Sequence, residues 1–144
     1  MFNPHPPLSS FPFCIVSLLI VLECYSFIKH DHTNNERIKD FLLLSLLLFS
    51  ILTFVSGYFG VDFADKDIPQ ELIDNHQNFA KLILLTNIPL LLLRYLSRIN
   101  NRLKAPYYFI LLVIVALIIT TSNLGGKLVF EQGAGVTIKR NSKE

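Results

Sequence analysis

The chain has 144 residues, 51% of them hydrophobic and 17% charged, and a net charge of +2. So small a charge, dispersed between apolar blocks rather than gathered on one stripe, argues against nucleic acid as a partner. The apolar blocks run to about twenty residues, enough to cross a hydrocarbon core roughly 30 Å thick, and this excludes an ordinary soluble domain.

The opening MFNPHPP carries no Lys or Arg, so it lacks the positive start of a secretory signal. The first apolar block is therefore expected to be retained, as a helix over about residues 8–28. Ser9 or Ser10 would cap it, and Pro12 is tolerated in the first turn. Ser10, Cys14, Ser17, Val21 and Cys24 recur at helical spacing as a small-residue stripe, expected to face another helix. Cys14 and Cys24 stand about 15 Å apart along one helix and cannot bridge each other. Glu23 lies about a turn and a half inside the far end, where a carboxylate must be neutral, snorkelled or paired. Arg94 at similar depth is its expected partner, with Lys29 as the alternative.

Residues 29–40 read as a short mixed-charge loop. His30 and His32 flank Asp31 there, and with no third ligand at metal-site spacing they read as solvated side chains. Helix two is expected over about 41–60, ending on a second small stripe of Ser50, Thr53, Gly57 and Gly60. The acidic stretch 61–76 follows, with Asp62, Asp65, Asp67, Glu71 and Asp74 against Lys66. Helix three reads from about 68 to 97, opened by Asp67, Pro69 and Gln70. It carries His76 near the water boundary, Lys81 below it, and Pro89 as an expected kink. Arg94, Arg98, Arg102 and Lys104 cluster around the next turn. Helix four, about 107–124, has Tyr107 and Tyr108 as expected headgroup anchors and Ala116, Thr120 and Asn123 as its small or polar face. The glycines beyond it, Gly125, Gly126, Gly133 and Gly135, read as a punctuated re-entry toward the membrane surface. No phosphate loop is implied, because no GK[ST] follows a strand.

Four such spans predict an all-α membrane protein, an up-down-up-down bundle of four transmembrane helices in one domain, 1–144, embedded in the lipid bilayer. Both termini and the acidic loop then share one edge. His5, Ser10, Gly57, Gly60, His76, Asn123 and the closing glycines converge there. The short loops and their flanks hold Lys29, Arg37, Lys39, Arg94, Arg98, Arg102 and Lys104, so the positive-inside rule puts the opposite edge outside the cytoplasm.

Several of these residues resemble a known pattern. His5-Pro6 with Phe11-Pro12, Ser56-Gly57, His76, and Gly125-Gly126-Lys127-Leu128-Val129 followed by Gly133-Ala134-Gly135-Val136 are similar to a bacterial family of small membrane proteins, catalogued as domain of unknown function 2231. The likeness covers almost the whole chain in order and spacing. It implies four transmembrane helices in a bacterial inner (plasma) membrane, and the family's histidines suggest a haem or metal role. This chain has Ser10 and Gln132 where a typical member has further histidines, which leaves His5 and His76.

Two function classes follow. The first is an accessory or structural subunit whose outer polar edge docks a periplasmic or membrane partner. The second is an electron-transfer component that holds a b-type haem between His5 and His76 and works with a periplasmic redox protein. Under the haem reading, Gly57, Gly60, Gly125 and Gly126 clear a flat cavity. Under the subunit reading, which the sequence favours, the imidazoles lie more than about 10 Å apart. His76 would then bond Asn123, the acidic loop or the 125–135 backbone. No nucleophile–base pair is visible, so no catalytic residue is assigned.

Overall fold

The computed structural model describes residues 5–29, 35–60 and 68–133. They form four helices: α1 (His5–Lys29), α2 (Glu36–Gly60), α3 (Gln70–Ile99) and α4 (Lys104–Gly126). A 3₁₀ turn, Asn101–Leu103, precedes α4, and a π-helical turn, Lys127–Glu131, follows it. All four helices are long and apolar enough to cross a membrane. α1 packs on α2, α2 on α3 and α3 on α4, and a lighter contact between α1 and α4 closes the ring. The architecture is an all-α bundle, as the spans imply.

A helix that is apolar all round has no hydrophobic face to steer it. Its polar residues decide the facing instead, because they cost most against lipid. α1 turns Val16, Leu19, Glu23 and Ser26 inward, and α2 turns Lys39, Leu43, Leu46 and Ser50. α3 contributes Ile83, Asn87, Leu90 and Arg94, and α4 contributes Tyr107, Leu111, Ile114 and Ile118. Each set follows the three-or-four-residue spacing of one helix face. The outside is apolar too, with Phe27, Leu44, Leu85 and Leu112 exposed where lipid chains would cover them. About one helical turn from the charged residues, Leu19, Leu43, Leu46, Leu90 and Ile114 form an apolar layer, with the buried Asn87–Ser50 pair beyond it. It separates a charged end from a histidine end.

Several boundaries and faces differ from the sequence expectation. α1 begins at His5 rather than near residue 8, so that histidine and the proline pair after it lie in the first helical turn. Prolines fit there because the first turn needs no backbone donor. α2 begins at Glu36 and takes in Lys39 and Asp40, which had read as loop. Asn35, at φ 68°, sets this start, and its carbonyl accepts the Lys39 N–H at 2.9 Å. α3 starts after Pro69, which offers no side-chain cap, and continues unbroken through Pro89. Asp62, Asp65, Lys66 and Asp67 lie outside the described residues, as do His30, His32, Gly135 and the tail.

The expected re-entry at Gly125 and Gly126 is instead helix. Each glycine costs a helix only about 1 kcal/mol, and the apolar run Leu128–Phe130 carries the winding on. It stops at Gly133, whose φ of 72° suits glycine and whose N–H bonds the Val129 carbonyl at 3.1 Å. The small stripe of α1 faces out, not toward a neighbour: Ser10, Cys14, Val21 and Cys24 are all exposed. At about 100° per residue these positions fall on the sides of the helix away from Glu23, and Glu23 must point inward. Ala116, Thr120 and Asn123 of α4 are likewise exposed.

Candidate functional site

Polar side chains gather at both ends of the bundle. At the charged end Glu23 is the hub. Its Oε2 meets Lys39 Nζ at 3.1 Å and its Oε1 meets Arg94 Nη1 at 3.5 Å. The Tyr107 hydroxyl donates to Oε1 at 2.9 Å and the Tyr108 hydroxyl to Oε2 at 3.3 Å. Arg94 also reaches Glu36 at 2.7 Å and Asp40 at 3.4 Å, and Arg98 pairs with Asp40. Glu23, Glu36 and Asp40 are thus matched by Lys39, Arg94 and Arg98, and every helix supplies a member. The arrangement neutralises charge and ties the helices.

Glu23 and Arg94 do meet, as their depths imply, and the second cation on Glu23 is Lys39 rather than Lys29. Tyr107 is not a headgroup anchor: it is 1% exposed, with its ring under the Arg94 guanidinium at 5.5 Å. Sequence reasoning missed Lys39, Glu36 and Tyr107. The available signal was their depth, since each lies within a turn or two of the same membrane face as Glu23.

At the opposite end, His5 of α1 and His76 of α3 bring their rings to 6.0 Å between centroids, with planes at 87°. His5 Nδ1 lies 3.1 Å from the Thr53 carbonyl and 3.1 Å from Ser56 Oγ. His76 Nδ1 lies 3.2 Å from the Thr121 carbonyl. A carbonyl only accepts, so both bonds put the proton on Nδ1 and the lone pair on Nε2. His5 stands just ahead of the span Pro7–Lys29, and burial holds its pKa below the usual 6.5. It is therefore neutral at pH 7.

Two glycines seat these rings. A Cβ at Gly57 would stand 2.7 Å from His5 Cε1, and one at Gly125 would stand 3.1 Å from His76 Cε1. The imidazoles thus lie against bare backbone of α2 and α4. Gly126 has no such role, since its Cβ would meet only Phe130 at 4.0 Å. Gly60 ends α2 and Gly133 ends the π turn. Asn123 is exposed and away from the cavity.

The two rings border a cavity of about 540 Å³. Phe13, Phe54, Ile83, Ile118 and Val129 give it apolar walls, and Ser9, Thr53 and Thr121 add polar groups. Among the described residues no carboxylate, lysine or arginine lines it. Two sequence expectations are overturned here. The imidazoles are 6.0 Å apart, not beyond about 10 Å, and His76 bonds Thr121 rather than Asn123, the acidic loop or the 125–135 backbone. No cluster of three or more metal-ligating side chains occurs among the described residues.

Fold and site together define a small multi-pass membrane protein with a histidine-edged apolar cavity at one end. No family model, curated protein or solved structure matches the chain.

Proposed function

We propose that this protein is a b-type haem-binding membrane component for electron transfer, with His5 and His76 as axial ligands. The observation that carries the reading is the histidine pair itself, two imidazoles from different helices at 6.0 Å on one cavity. Two metal–nitrogen distances of about 2 Å plus the ring radii require roughly 6 Å between centroids. The cavity, about 540 Å³, falls in the size range of cofactor sites, and the apolar walls formed by its described residues suit the flat face of a macrocycle. The Thr53 and Thr121 carbonyls fix the tautomers and raise the basicity of Nε2, the usual role of a second partner on a ligating histidine. Bound haem supplies one-electron redox chemistry.

Membership of the family catalogued as domain of unknown function 2231 is part of the same proposal, as is a bacterial inner membrane with the histidine end outside the cytoplasm. The test is the absorption spectrum of the purified chain, expressed with adequate haem supply, with and without dithionite. A Soret band is expected that shifts on reduction and is lost in both His5→Ala and His76→Ala. A colourless wild-type protein that takes up no added haem would overturn this. The accessory-subunit reading, with a periplasmic or membrane partner docked on the same edge, would then stand.

A further inference from the structure

We propose that the charged end holds a second site, a pocket for a phosphate-bearing anion, centred on Lys104. A cavity of about 330 Å³ opens between the helices there, lined by Lys39, Arg94, Arg98 and Lys104 against Glu23 and Glu36. Three of those cations are already matched. Lys39 pairs with Glu23, Arg94 with Glu23, Glu36 and Asp40, and Arg98 with Asp40 and Glu36. Among the described residues Lys104 forms no ion pair, and it is only half exposed on the cavity wall. With Asp40 counted beside Glu23 and Glu36, three carboxylates face four cations, and Lys104 is the one in excess. A half-buried ammonium at a membrane boundary calls for an anion, since desolvation without a partner is costly.

The neighbouring groups indicate which anion. Asn101 lines the same wall and can donate from its side-chain amide. Arg98 commits Nη2 to its two carboxylates and still faces the cavity with 40% of its side chain exposed. Lysine, arginine and amide donors converging on one pocket are the chemistry of phosphate recognition. The pocket lies where α1 and α3 end and α4 begins, at headgroup level for helices of this length. Basic pockets between transmembrane helices hold anionic headgroups in this way. The shared chemistry is a phosphate, from an anionic phospholipid or from free phosphate.

The full chain, purified in a neutral detergent, is titrated with phosphatidylglycerol and with phosphatidylcholine, and retained lipid is read by native mass spectrometry. Preferential retention of phosphatidylglycerol is expected. Lys104→Gln should weaken it about fivefold, the worth of one surface cation, while Lys104→Arg keeps it. Arg102→Gln removes an exposed charge outside the pocket and should leave retention unchanged. Equal retention of both lipids, or equal loss in Lys104→Gln and Arg102→Gln, overturns the site. If millimolar inorganic phosphate displaces the lipid from wild type, the anion pocket is upheld with free phosphate as a ligand. Unchanged helix melting of Lys104→Gln without lipid shows that the loss is not one of folding; a lower melt with retention restored in Lys104→Arg also upholds the site.

Discussion

Glu23 is 6% exposed and has four partners on three other helices, so its carboxylate is stabilised only while the bundle is assembled. Removing one member of a buried charge network costs more than the pair contributes, because the other members stay buried and unmatched. Glu23→Gln keeps the volume and an acceptor for the tyrosines but leaves Lys39 and Arg94 short of an anion. It should destabilise the fold by about 3–5 kcal/mol. Tyr107→Phe loses one neutral-to-charged hydrogen bond and should cost about 1.5–3 kcal/mol. Unfolding in mixed micelles, followed by circular dichroism, compares the two. A loss for Glu23→Gln no greater than for Tyr107→Phe would mean that the network is solvated and does not lock the helices. Glu23 and Arg94 were legible in the sequence because an isolated carboxylate in an apolar run must be matched at its own depth. Lys39 was not, since a lysine beside a polar loop looks solvated until the helix start is known. Tyr107 misled for a related reason: headgroup level and the buried ring of partners lie at the same height.

Among the helices, length was readable and facing was not. Four spans follow from apolar runs alone, because nothing shorter satisfies both backbone and lipid. Facing needs a second signal, and the small-residue stripe of α1 supplied the wrong one. The inward face is marked by Glu23 and Ser26, with Leu19 and Val16 below them, while Cys14 and Cys24 lie exposed. The same holds for α4, where the inward face carries Tyr107 and the expected Asn123 looks out. Polar groups set the rotation because a buried methyl and a lipid-covered methyl are nearly equivalent in energy, whereas a carboxylate is not. The native cysteines test this directly. Nitroxide labels on Cys14 and Cys24 in liposomes should be mobile, with high collision rates to oxygen characteristic of lipid exposure. Immobile labels shielded from oxygen would show that α1 is rotated, or that another chain covers this face.

At the scale of the molecule, the bundle is polar along its axis. From His76 to Arg94, α3 rises about 27 Å, close to the thickness of a hydrocarbon core, so the two sites face opposite aqueous boundaries. Between them lie the apolar layer of Leu19, Leu43, Leu46, Leu90 and Ile114 and, on its histidine side, the buried Asn87–Ser50 pair. A water-soluble ligand reaching the histidine end therefore comes from that side of the membrane. Which side it is depends on insertion, when the helices are not yet paired and the cations of the short loops still act singly. Glu36 and Asp40 later neutralise Arg94 and Arg98, but acidic residues weigh little in that choice. Lys29, Arg37, Lys39, Arg94, Arg98, Arg102 and Lys104 all belong to the charged end, which is therefore expected in the cytoplasm. Alkaline phosphatase, active only after export, should work when fused after Glu144 or within 62–67 and should fail at Asn34. That result would turn the histidine cavity toward periplasmic partners and the Lys104 pocket toward the cytoplasmic leaflet, where anionic headgroups set a negative surface potential. The opposite pattern would turn the histidine cavity to the cytoplasm and remove a periplasmic redox protein as its partner, even if both pockets bind what is proposed.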